Sequence, residues 1–330
     1  MVKRRSFKWI VLLAAVFLLG VASLFIGRYP SPPWMPPRAL FTDRLALDLA
    51  LTLRLPRVLA ALLVGAVLGA SGLAMQMLFR NPLVEPGFLG VSQGAAFGAA
   101  LAILYFASNP FAVQASAAVF GLAALGLTYL FARRLRYGGW VLRMVLAGIA
   151  VSALFSAGVG LLKYLADPLT QLPEIVFWLL GGLWATRWSA LLAILPATLL
   201  GLAVLFLARW RLNVLVLEDD AAFALGARPG RERALFLVVS VVAVAAAVSL
   251  SGIVAWVGLM IPHLARRFYG VDGRSSLPAS LLLGGAFTLL CDDLSRTITV
   301  GEIPLGIITA LLGSLAFVVL LASEGREVEL

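Results

Sequence analysis

Apolar stretches of about 18 residues or more recur along the whole chain, and few architectures accommodate that pattern. A helix of this length crosses the hydrocarbon of a bilayer with every backbone amide and carbonyl bonded within the segment. Hydrophobic residues make up 62% of the 330 and charged residues only 13%, which points to a polytopic, all-α membrane protein. Barrel strands would show short alternating segments, and these are absent. The net charge of +10 is gathered in short clusters between the apolar spans. That pattern is topological and does not form a nucleic-acid stripe. One cysteine, Cys291, and one histidine, His263, exclude a disulfide framework and an ordinary protein-ligated metal site.

The stretch RLPRVLAALLVGAVLGASGLAMQMLFRNPLVEPGFLGVSQGAAFGAA, residues 54–99, organises the rest. Its first part reads as a spanning helix over residues 58–79. Pro56 marks the start, since a proline fits a first turn where its missing N–H has no partner. Arg54 and Arg57 share a face of that turn and gain nothing from the positive end of the helix dipole. Asn81, Pro82, Pro86 and Gly87 then break the chain before a second apolar span.

Read in order, about ten spans follow, over residues 9–26, 58–79, 88–107, 111–132, 140–165, 188–208, 234–250, 254–265, 277–290 and 303–322. The first is read as a retained helix with Lys3, Arg4, Arg5 and Lys8 in the cytoplasm. Residues 28–43, with Pro30, Pro32, Pro33, Pro36 and Pro37, read as an extended external loop. Residues 167–184 read as a short helix lying along the outer surface, and residues 212–233 as the longest cytoplasmic connection. Asp292, Asp293 and Arg296 fall outside. This topology puts both termini in the cytoplasm, in one transmembrane domain spanning residues 1–330. With Arg143 unassigned, 17 basic residues then lie inside and 8 outside, which supports the orientation. The outer arginines stand out as exceptions. Two short segments echo one another, EPGFLG from Glu85 and EIPLG from Glu302.

Three motifs bear on function. Gly90-Val91-Ser92-Gln93-Gly94 fits G-x-S-x-G, with His263 as an imaginable base. A nucleophile elbow needs a strand-to-helix turn, however, and this motif lies in an apolar helix where small residues serve packing. The spans hold almost no ionisable groups, so an ion-coupled secondary transporter, the alternative reading, has no evident ion site. No G-x-x-x-x-G-K-[ST] occurs, the only lysines being Lys3, Lys8 and Lys163, so any nucleotide must bind another subunit. In residues 212–233, Asp219 or Asp220 can cap a short helix and Gly226 can end it, leaving Phe223 and Leu225 as apolar side chains in the cytoplasm.

The chain resembles the permease subunits of type II ABC importers for iron–siderophore complexes, haem and cobalamin. The matching elements are RLPR (54–57), RNPLVEPGFLGVSQGAA (80–96), the LP-x-x-x-FW-LLGGL segment (172–183), the 212–233 loop, GIVAWVGLMIPHLAR (252–266) and EIPLGIITALLG (302–313). The resemblance implies a homodimer of ten-helix subunits in the bacterial cytoplasmic (inner) membrane. Two ATPase subunits would bind below, carrying ATP and Mg, and a substrate-binding protein above, with no cofactor on this chain. It places binding-protein docking on Arg54, Arg57 and Arg296, for which the alternative is lipid phosphate or pairing with Asp48, Asp292 or Asp293. It places the cytoplasmic gate on Asn81 and Leu83, with a second region at Tyr137, Gly138 and Gly139. ATPase coupling falls on residues 217–226, including Leu217, Asp219, Asp220, Ala222, Phe223, Leu225 and Gly226. The chain departs from the family pattern at Glu218, where glycine is usual, and near Phe223, where a basic residue is usual. These departures bear on the detail of the ATPase contact and leave the role of the loop intact.

Overall fold

The computed structural model describes residues 2–29, 33–106 and 109–328. Pro30, Pro32 and Ala107 lie outside them. The described residues are helical throughout, apart from turns and one isolated antiparallel bridge between Ile26 and Trp34. In chain order the helices are α1 (Val2–Phe25), α2 (Ala39–Thr42), α3 (Arg44–Leu49), α4 (Leu55–Phe79), α5 (Val91–Tyr105), α6 (Pro110–Arg134), α7 (Trp140–Leu165) and α8 (Gln171–Leu180). There follow α9 (Trp188–Leu207), α10 (Arg209–Leu215), α11 (Asp219–Ala224), α12 (Pro229–Ser251), α13 (Val257–Tyr269), α14 (Gly273–Thr297) and α15 (Leu305–Val328).

Helix α4 is the axis of the molecule. Its sequence is apolar on every side, and a helix of that kind must be covered all round. Of its most apolar window 83% is buried, against 6% for α1, which therefore lies at the periphery. α4 packs most extensively on α14, then on α12 and α13, while α5 is held by α6 and α7. Small residues permit these approaches, because helices in lipid associate by close packing rather than by a hydrophobic drive.

Among the described residues, eight helices are long and apolar enough to cross a membrane. The third and eighth spans are short. α5 has 15 residues and α13 has 13. At 1.5 Å per residue α13 reaches only about 20 Å, less than the ~30 Å hydrocarbon core. Backbone outside the α-helices extends both: a 3₁₀ turn, Pro86–Leu89, precedes α5, and the non-helical segment 252–256 precedes α13. Such irregular backbone is tolerated at depth where protein covers it.

The structure corrects two span ends. Pro56 does not begin a helix: α3 runs through a π-helical turn, Ala50–Arg54, directly into α4. The wider turn relieves the clash of the proline ring with the preceding turn and drops the hydrogen bond that proline cannot donate. Arg54 and Arg57 thus lie within a continuous helical run and not at its free end. α14 likewise continues to Thr297, so Asp292, Asp293 and Arg296 sit in its last two turns and are buried, instead of lying in an external loop.

Candidate functional site

Charged residues collect at the two ends of α4. Arg57 and Arg80 are 23 residues apart, which puts roughly 35 Å between the two clusters.

At the first end, the three arginines singled out from the sequence come together around a cavity of 250 Å³, joined by Arg28, Thr186, Trp184 and Glu302. Each is already engaged. Arg57 lies between two carboxylates: Nε donates to Asp292 Oδ1 and Oδ2 at 3.1 and 2.9 Å, Nη1 to Glu302 Oε1 and Nη2 to Glu302 Oε2, both at 2.9 Å. Arg54 has carbonyl partners, Leu24 at 3.0 Å and Tyr29 at 2.8 Å. Arg296 donates to the Ser23 carbonyl at 2.8 Å and pairs with Asp293, whose other oxygen accepts from Ser23 Oγ at 2.5 Å. Arg28, which the sequence reading did not single out, donates to the carbonyls of Arg296, Thr299 and Val300.

Four guanidinium groups thus face three carboxylates, and the excess is positive. Arg54 and Arg296 are buried, whereas Arg28 and Glu302 are exposed and Arg57 is half-buried. No spacing rule could have found Ser23, Arg28 or Glu302, because each meets the cluster across more than 200 residues.

The other end of α4 closes with a helix-terminating motif. Arg80 N donates to Met77 O at 3.3 Å and Asn81 N to Gln76 O at 3.1 Å, with Arg80 in the left-handed conformation at φ 50°. Asn81 Oδ1 then accepts from Leu83 N at 2.9 Å, which holds a tight exposed turn. Phe79 stacks on Trp140 with ring centroids 5.5 Å apart. Trp140 follows directly on the turn of Tyr137, Gly138 and Gly139, all three of which are exposed.

The 212–233 connection reaches the same end. α11 carries Ala222 buried beneath it and Phe223 and Leu225 exposed by 71% and 61%, with Leu217 at 41%. Gly226 at φ 77° ends α11, with Gly226 N on Phe223 O at 2.8 Å and Ala227 N on Ala222 O at 3.0 Å. The expected cap is different. Glu218 occupies the N-cap position without a side-chain bond, and Asp219, one residue inside, pairs with Arg233 at 2.6 Å. A buried guanidinium is a stronger partner for a carboxylate than a backbone amide, and Arg233 is held at the root of α12. Glu218 has φ −59°, so nothing in the backbone calls for glycine there. Arg211 fixes the loop from the other side, with Glu232 at 2.7 and 3.0 Å and the Gly226 carbonyl at 2.9 Å.

The G-x-S-x-G motif serves packing. A β-carbon on Gly94 would stand 2.5 Å from the Phe120 carbonyl oxygen, so α5 and α6 touch there. His263 places Nδ1 2.9 Å from the Leu259 carbonyl and lies edge-on to Phe317.

The sequence profile described as the FecCD transport family matches residues 12–323. The molybdate import system permease protein of Haemophilus influenzae is 41% identical over 310 residues, 92% of this chain and 91% of that protein. A probable iron chelatin transport system permease protein of Helicobacter pylori is 45% identical over 271 residues, covering 82% and 81%. A solved structure described as an inward-facing conformation of a metal-chelate type ABC transporter superposes with a TM-score of 0.86. It shares 39% identity, covering 95% of this chain and 98% of that one.

Proposed function

The chain belongs to the FecCD transport family, as a membrane-spanning permease of ABC importers, and from that premise we propose how it is assembled and driven. Two copies pair around a central pathway in the cytoplasmic membrane, with both termini inside. Two ATPase subunits bind the cytoplasmic face and carry the ATP and Mg, and a substrate-binding protein docks outside. The excess of basic residues on the inner side supports this orientation.

The cargo is a metal chelate such as an iron(III)–siderophore, haem or cobalamin. Molybdate is the competing class, since it is the cargo named for a relative at 41% identity. In either case the binding protein does most of the selecting, so a panel of chelates and oxyanions tested on that protein separates the two.

Docking of the binding protein falls on the outer basic cluster. Arg28 offers the accessible edge, Arg57 lies beneath it between Asp292 and Glu302, and Arg54 and Arg296 hold the end of α1. The inner gate falls on Asn81 and Leu83 with Tyr137, Gly138 and Gly139. ATPase coupling falls on residues 217–226.

One observation carries this reading: a short, firmly terminated helix holds two apolar side chains out beside the turn that ends α4. Exposing Phe223 and Leu225 to water gains nothing, and an apolar patch rimmed by charge suits a protein partner. Phe223→Asp is therefore expected to release the ATPase or to separate hydrolysis from uptake, while the membrane dimer survives. The check is co-purification of the tagged ATPase together with ATP-driven uptake. A variant that co-purifies and transports like wild type would remove the docking assignment.

A further inference from the structure

Only two non-glycine residues among those described have positive φ, Arg80 and Trp256. At Arg80 glycine would satisfy the helix end with less strain, because it lacks the β-carbon that crowds the following carbonyl. The retained side chain leaves α4 and crosses to the 212–233 loop. Its Nη2 donates to the Leu217 carbonyl and lies 3.8 Å from Asp219 Oδ1. Arg233 reaches the same two groups from α12, with Nη1 on Asp219 Oδ1 at 2.6 Å and Nη2 3.4 Å from the Leu217 oxygen and 3.0 Å from the Leu215 oxygen.

The base of α11 is thus held by two arginines of different standing. Arg233 is buried and roots the loop in its own helix, while Arg80 is partly exposed and belongs to a different part of the chain. The exposed pair of Arg80 with Asp219 contributes little alone. The bond to the Leu217 carbonyl supplies direction, because it joins backbone at the start of the coupling segment to a side chain whose neighbour is Asn81. A shift of α11 that keeps this bond must draw Arg80 with it, and with Arg80 the Asn81–Leu83 turn.

We propose that Arg80 is the positioning residue through which displacement of α11 moves the Asn81–Leu83 turn, the Leu217 carbonyl and Asp219 being its hold on the coupling segment. This rests on the reading above, in which α11 meets the ATPase and the turn is the gate.

The test uses the complete permease–ATPase complex, in a Cys291→Ser background with Leu83→Cys as reporter. Crosslinking between the two permease copies is compared without nucleotide and with a non-hydrolysed ATP analogue. Arg80→Gly suits the left-handed backbone, so the complex is expected to fold with an unchanged or raised thermal midpoint. The nucleotide-dependent change in crosslinking should nevertheless fall about tenfold, as expected for loss of a charge-assisted hydrogen bond. Arg80→Lys, which keeps the charge and most of the reach, should restore most of it. If Arg80 only terminates α4, glycine does that better, and Arg80→Gly will respond to nucleotide like wild type; that result overturns the proposal alone. A reporter that ignores nucleotide even with Arg80 present would overturn the gate reading and this proposal together.

Discussion

Gly284→Leu is expected to prevent the chain from reaching a stable fold. Gly284 and Gly65 face each other where α14 crosses α4, and a β-carbon on Gly284 would stand 2.2 Å from the Gly65 carbonyl oxygen. The relation is reciprocal: a β-carbon on Gly65 would meet the Gly284 oxygen at 2.1 Å. One turn along, Gly69 faces the Ser280 oxygen at 2.4 Å, so the two helices touch along a seam of small residues and not at a single point. Overpacking a core with side chains costs about 1–3 kcal/mol. Here the obstacle is backbone, which cannot rotate aside, and the most extensive helix pair of the subunit would have to separate. The penalty should exceed that range and use up much of a typical margin of roughly 5–15 kcal/mol. Gly126 in α6 provides the control, since a β-carbon there meets nothing within 4 Å and Gly126→Leu should be tolerated. Monodisperse elution in detergent and the thermal midpoint decide the matter. Wild-type behaviour of Gly284→Leu would show that α4 and α14 do not approach this closely.

Asp292→Ala should produce the second large effect. Asp292 is fully buried, accepts three hydrogen bonds from Arg57, and lies 3.8 Å from Arg296 Nε. Removing the carboxylate leaves two guanidinium groups short of counter-charge in a site that water reaches poorly. Breaking a buried pair in this way costs about 3–5 kcal/mol, much of it the penalty of the charge left behind. The double change Asp292→Leu with Arg57→Met removes both members, and it should be the milder of the two despite altering more atoms. Thermal unfolding in lipid or detergent compares them. A double variant less stable than Asp292→Ala would show that the pair contributes net stability rather than mutual compensation.

The outer cluster also shows where sequence reading stops. The apolar spans were legible because twenty residues without charge leave a chain few choices in a bilayer. The end of α14 was not. Asp292, Asp293 and Arg296 read as an exit into water, yet they stay in the helix because Arg57 from α4 and Ser23 from α1 complete their pairing. Those partners lie 235 and 270 residues away. Pairing of the outer arginines with Asp292 or Asp293 was open from the sequence as the alternative to docking, and the fold shows that Arg57 takes Asp292 and Arg296 takes Asp293. Pro56 misled for a related reason, since a proline signals a helix start only where no π turn absorbs it.

At the other end, the short helix of the 212–233 loop and its glycine stop followed from local rules. The engagement of Asp219 by Arg233 and Arg80 did not, because a long-range guanidinium outweighed the local cap. The outer and inner residues were found as functional candidates through family resemblance. The chemistry that ties each cluster together came from the fold.

The most direct measurement of how this permease is driven is uptake into proteoliposomes holding the chain with its ATPase. Molybdate and an iron(III) chelate serve as probes, each offered on its binding protein. Uptake of one of them should require both the binding protein and ATP, and it should continue at constant ATP when ionophores collapse the proton and sodium gradients. Uptake that fails with the ionophore while ATP is maintained, or that proceeds without ATP on an ion gradient alone, would contradict ATP-driven import and favour an ion-coupled carrier.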